Sequence, residues 1–141
     1  MSRLLLLVLS LILAKPMLAE EAPEARFAQA VSAFEAKNYA LAAGILEPLV
    51  AASPDNDRYV YWLGKAYGRQ AEQAGWFEAV RLAKRTRKAL EKAVTLNPRN
   101  TGAVRDLAQF YDEAPGFLGG DAAKAAQLRA ELATLEVRPA P

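Results

Sequence analysis

The sequence contains no cysteine and no histidine. The first absence excludes a disulfide framework and thiol chemistry. The second removes the commonest general base and the commonest metal ligand. Serine is scarce as well: beyond residue 19 only Ser32 and Ser53 occur, with no histidine to activate either. No stretch alternates apolar and polar residues over a useful length, as a half-buried strand would. A calcium loop is missing, because Asp55 and Asp57 flank Asn56 without the glycine and distal glutamate such a loop uses. Carboxylates acting alone need two acids at one cleft, and no spacing here assigns such a pair. No catalytic residue, metal or cofactor is therefore expected, and a carboxylate-dependent enzyme is the remotest reading.

The one long uncharged run, residues 4–14, is also too short to cross a bilayer: it has eleven residues, and a spanning helix needs about 20. Arg3 before it and Pro16 with Ala19 after it suit a secretory signal cleaved after Ala19. This predicts export to the periplasm or the cell exterior, with residues 1–19 removed and no lipid anchor. Loss of Arg3 and Lys15 leaves sixteen basic and sixteen acidic residues. A balanced chain has no global attraction for nucleic acid or an anionic surface.

What remains is enough for one domain, residues 20–137, followed by a tail at 138–141 expected to be disordered. Six helices are predicted, paired as three antiparallel hairpins. The first pair covers residues 24–36 and 39–52, turning at Lys37 and Asn38. Pro48 lies inside the second helix and is expected to kink or loosen it. The second pair covers 58–74 and 76–96, with Asp57 as a cap and Gly75 at the turn. The third pair begins at 101–113. After the loop 114–120, Asp121 caps a last helix with Ala125, Leu128, Leu132 and Leu135 as its apolar stripe.

Two windows repeat each other. Ser53, Pro54, Asp55 and Asn56 lead into Val60, Leu63, Gly64 and Tyr67; 44 residues later Asn97, Pro98, Arg99 and Asn100 lead into Val104, Leu107, Ala108 and Tyr111. Self-similarity at one long period means stacked copies of a helical unit, an architecture that builds binding surfaces. Gly64 and Ala108 leave room for a partner helix, and the tyrosines fill the gap one turn later.

These residues resemble the tetratricopeptide repeat (TPR) family. In the middle copy Val60, Leu63, Gly64, Tyr67, Leu90, Ala93 and Pro98 match its pattern, with Val60 in place of Trp. In the first copy Ala30, Tyr39, Ala42, Leu46 and Pro54 match; in the third, Val104, Leu107, Ala108 and Tyr111 do. The resemblance implies an all-α fold, three antiparallel helical hairpins stacked as a short right-handed TPR-like solenoid. The TPR unit has 34 residues, and the 44-residue period here exceeds it. The surplus falls between Tyr67 and Leu90, either as longer hairpin arms or as an ordinary insertion.

The same resemblance places the first helix of each hairpin on a concave face that holds extended peptides. The groove would comprise Phe27, Val31 and Phe34, then Tyr61, Lys65 and Arg69, then Arg105 and Gln109. Lys65, Arg69 and Arg105 would make it receptive to a terminal carboxylate or acidic side chains; the alternative is a solvated face balanced by Asp106, Asp112 and Glu113. A secondary basic contact is Arg81, Lys84, Arg85, Lys88 and Lys92, with Arg87, on the fourth helix; it reads as a contact for an acidic protein or anionic lipid, or as a solvated face neutralised by neighbours such as Glu72. Phe117 and Leu118 are expected to tuck back over the third hairpin.

The sequence thus predicts an exported protein-binding or scaffolding module. Its partner is another protein or peptide, not nucleic acid, with membrane contact only through an envelope partner. The irregular first and last copies leave room for a homodimer to complete the groove. The alternative is a structural subunit of a cell-envelope assembly that uses the basic fourth helix or self-stacking.

Overall fold

The computed structural model describes residues 21–137. The signal segment and the tail that the sequence predicts lie outside them. Six α-helices follow one another: α1 Pro23–Glu35, α2 Tyr39–Ala52, α3 Asp57–Gln73, α4 Trp76–Leu96, α5 Thr101–Glu113 and α6 Ala122–Val137, with a 3-10 turn, Gly116–Leu118, before the last. No strand occurs among the described residues. The fold is an all-α helical repeat of three hairpins.

Asparagine sets the starts of three helices by accepting backbone N–H groups that the first turn leaves free. Asn38 accepts from Leu41, Asn56 from Arg58 and Tyr59, and Asn100 from Ala103. Asp121 does the same for α6, accepting from Ala123 and Lys124. Asp57, expected as a cap, is instead the first helical residue of α3. Its carboxylate accepts from the side-chain amides of Asn97 (3.2 Å) and Asn100 (2.9 Å), tying one repeat boundary to the next. The helix α2 continues through Pro48 to Ala52.

Extensive packing joins consecutive helices, most of all α3 with α4. Gly64 permits that approach: a methyl group there would meet Ala89 Cβ at 3.1 Å and Leu90 Cδ2 at 3.3 Å. One large core runs through the first two hairpins and includes Phe27, Ala30, Leu46, Tyr59, Leu63 and Leu82. Beyond it the core divides into two smaller clusters, one around Leu90, Leu107 and Tyr111 and one around Val60, Ala93 and Ala103. Of the α6 stripe only Ala125 is buried; Leu128, Leu132 and Leu135 are half-buried.

The surplus length of the middle repeat lies in both arms. The helices α3 and α4 have 17 and 21 residues, against 13 and 14 in the first hairpin. The repeat also recurs in its polar bonds. Tyr67 donates to Glu47 at 2.7 Å, and Tyr111, 44 positions on, donates to Glu91 at 2.7 Å. Each hydroxyl thereby fastens the first helix of one hairpin to the second helix of the hairpin before it.

Candidate functional site

The division of the core leaves a cleft of about 390 Å³ between α3 and α5, floored by α4 and closed at one side by Phe34 of α1. Helical spacing puts Lys65, Arg69 and Glu72 of α3 on one wall; Asp106, Gln109 and Glu113 of α5 form the other. Small residues make the hollow possible. Gly64 and Gly68 line it from α3, and Thr86 and Leu90 form its floor.

Of the predicted groove residues, the structure brings Phe34, Lys65, Arg69 and Gln109 to this cleft. Tyr61 closes the seam above it: half-buried, it donates to Asp106 at 2.9 Å. Burial, reinforced by the Asp106 carboxylate, pushes its hydroxyl well above the usual phenol range, so it remains a donor there. Val31 is half-buried against the large core. Phe27 does not face the groove. It is 7% exposed, and its ring packs on Tyr59 (5.2 Å) and Trp62 (6.2 Å), because apolar area is worth more inside the seam than on a concave surface. Arg105 also leaves the groove, reaching Glu136 of α6 at 3.2 Å.

The cleft is therefore not lined by three free cations. Arg69 donates to Glu72 at 3.0 Å on its own helix, so Glu72 neutralises α3 rather than α4. Three acids, Glu72, Asp106 and Glu113, share the lining. Of the three predicted groove cations, only Lys65 makes no ion pair among the described residues. Its ammonium stands 4.1 Å from the Trp62 ring centre, 5.0 Å from Phe34 and 5.3 Å from Tyr61. The ring faces hold the cation without neutralising it, and leave it to face an incoming anion. Trp62, Asp106 and Phe110 were absent from the predicted site. Trp62 was findable, since it lies three positions before Lys65 on the same helix face.

On α4, Arg81 pairs with Glu78 and Arg87 with Glu91 (3.9 Å). Arg85 lies over the Tyr67 ring at 5.5 Å. Lys84, Lys88 and Lys92 are exposed and make no ion pair among the described residues. The loop 114–120 does not fold back over the third hairpin as expected. It leans on the second: Phe117 meets Trp76 at 6.0 Å between ring centres. Its backbone is fixed by glycine, since Gly119 has φ 98° and a side chain there would run into the Arg87 guanidinium.

No protein-family model and no curated protein matches the chain. Among solved structures it is similar to MamA 41-end from Desulfovibrio magneticus RS-1, at 26% identity and a TM-score of 0.62, over 80% of this chain and 55% of that one. A MamA RS-1 ArsTM double mutant gives 25% identity and 0.64, over 81% and 56%. The chain thus spans little more than half the length of these neighbours. MamA is TPR-like, and the present architecture is TPR-like with it. That likeness points to a protein-interaction or scaffold module.

Proposed function

We propose that this chain is an exported binding module, periplasmic or secreted, that holds an extended segment of a partner protein in the cleft between α3 and α5. The observation carrying this reading is Lys65: an unpaired cation held over three aromatic rings at the mouth of a preformed hollow. A carboxylate of the segment, terminal or side-chain, is the natural complement to it. Gln109 and the Asp106 and Glu113 carboxylates supply polar partners for the segment's backbone N–H groups. The hollow exists before binding, so little ordering of the module itself opposes association.

The test places a photo-crosslinking residue at Gln109 in the full chain, in its native envelope fraction. The expected result is one dominant partner adduct, reduced at least about tenfold by Lys65→Glu, as loss of a charge-assisted contact predicts. An adduct pattern insensitive to Lys65→Glu overturns the proposal. One observation favours a second reading, a self-stacking structural subunit: Leu128, Leu132 and Leu135 form a half-buried stripe on α6 with no helix beyond it among the described residues. Adducts formed only with a second copy of the chain would select that reading.

A further inference from the structure

The longer arms of the second hairpin carry its turn outward, and the residues at that turn are not polar. Trp76 is 67% exposed and Phe77, in the first turn of α4, is 89% exposed. Phe117, 63% exposed, is brought beside Trp76 by the glycine-fixed loop. Large aromatic side chains are seldom left in water together, and clustering of three at a protruding end marks a contact site.

The same helix carries a second feature. Phe77, Arg81, Lys84 and Lys88 recur at four, three and four residues, so they lie along one exposed ridge of α4, with Lys92 one turn further. From Phe77 to Lys92 the ridge is about 22 Å long at 1.5 Å per residue. Its three lysines have no carboxylate partner among the described residues.

We infer that this tip and ridge dock the protein on an anionic lipid bilayer surface, with Trp76, Phe77 and Phe117 entering the headgroup boundary and Lys84, Lys88 and Lys92 meeting lipid phosphates. Exposed aromatic rings at the tip next to a row of unpaired lysines combine the two signals of peripheral attachment, apolar insertion and attraction to anionic headgroups. Extent separates a bilayer from an acidic protein: Phe77 and the three exposed lysines share one ridge of a single helix, about 22 Å that a plane can meet together. Phe77, beside the exposed Glu78–Arg81 pair, is 89% exposed, and an apolar ring held that far out of the fold suits insertion between headgroups. No described helix is long and apolar enough to span a membrane, so the contact is peripheral. It departs from the expectation that membrane contact comes only through a partner, and it does not depend on the cleft.

The test uses the full chain carrying Trp62→Phe, which leaves Trp76 as the sole tryptophan and a local reporter whatever the N-terminal segment does. Its emission is followed with vesicles of phosphatidylcholine alone and of phosphatidylcholine with phosphatidylglycerol, the latter also with brominated acyl chains. The expected result is a blue shift and bromine quenching on the anionic vesicles only. Lys84→Glu with Lys88→Glu should weaken the response about tenfold or more, with helicity by circular dichroism unchanged. Trp76 emission indifferent to anionic vesicles overturns the proposal, as does quenching that survives the double charge reversal. A shift with polyglutamate but not with vesicles overturns it in favour of an acidic protein.

Discussion

The seam between the first and second hairpins and the seam between the second and third are built at the same spacing and filled differently. In the first, Phe27 packs on Tyr59 and Trp62, while Phe34 meets Trp62 at 5.3 Å and Tyr39 at 5.0 Å. Five closely placed rings leave one continuous core. In the second, Arg105 and Asp106 stand where the earlier copy has Tyr61 and Trp62. The Tyr61 hydroxyl donates to Asp106 at that point instead of packing a ring, and the core splits around a hollow. A repeat fixes where helices lie; the side chains at the seam decide whether the space becomes core or cleft.

The largest effect should come from opening the closed seam. Phe27→Ala is expected to cost about 3–5 kcal/mol and to lower Tm by roughly 10–20 °C. Phe110→Ala, at the half-buried edge of the open seam, should cost about 1–2 kcal/mol, read from the same thermal melts. Equal losses would mean that the two seams are packed alike.

A smaller effect tests what the copies share. Tyr67→Phe and Tyr111→Phe should each cost about 1 kcal/mol in denaturant unfolding, because Glu47 and Glu91 regain water when their donors are lost. The same pair predicts a pH dependence. Burial, then the bond to the neighbouring glutamate, pushes both hydroxyls up to about 12 from 10.0 in the unfolded chain. The folded state therefore holds these protons more tightly. Their stabilisation is complete below about pH 10 and is lost as pH rises from there towards 12. Melts across that window should decline less steeply in the doubly substituted Phe variant. An unchanged slope would show that the two bonds do not govern it.

The least effect is expected at the surface. Arg105→Ala breaks an exposed pair with Glu136, and its cost should stay within about 1 kcal/mol in the same unfolding experiment. A larger loss would mean that α6 depends on that pair for its place in the stack.

Most helix limits were legible because they are set locally. Asp121 and Gly75 act within a few residues of themselves, and the sequence displays them directly, whereas the cap of α3 is Asn56 and not the neighbouring Asp57. The buried tyrosines were legible through repetition. What escaped depends on residues far apart in the chain. Phe27 belongs on either face of α1 until Tyr59 and Trp62 arrive beside it. Arg105 reads as a groove cation until α6 presents Glu136. Phe117 was assigned to the third hairpin because nothing local shows that the second reaches past its neighbours to Trp76. The three exposed aromatics also run against the usual inference from apolarity to burial.

The neighbour-to-neighbour packing of the helices has a kinetic meaning. Apart from α1 with α3, and the 3-10 turn with α4, every helix pair in substantial contact is consecutive in the chain. Contacts this local close short loops and lose little chain entropy before they form, which places the fold among topologies of low contact order that assemble in microseconds to milliseconds. The most extensive pairing, α3 with α4, joins helices separated by only Ala74 and Gly75. A turn of two residues thus brings together the widest interface in the molecule, before any distant part of the chain has to arrive.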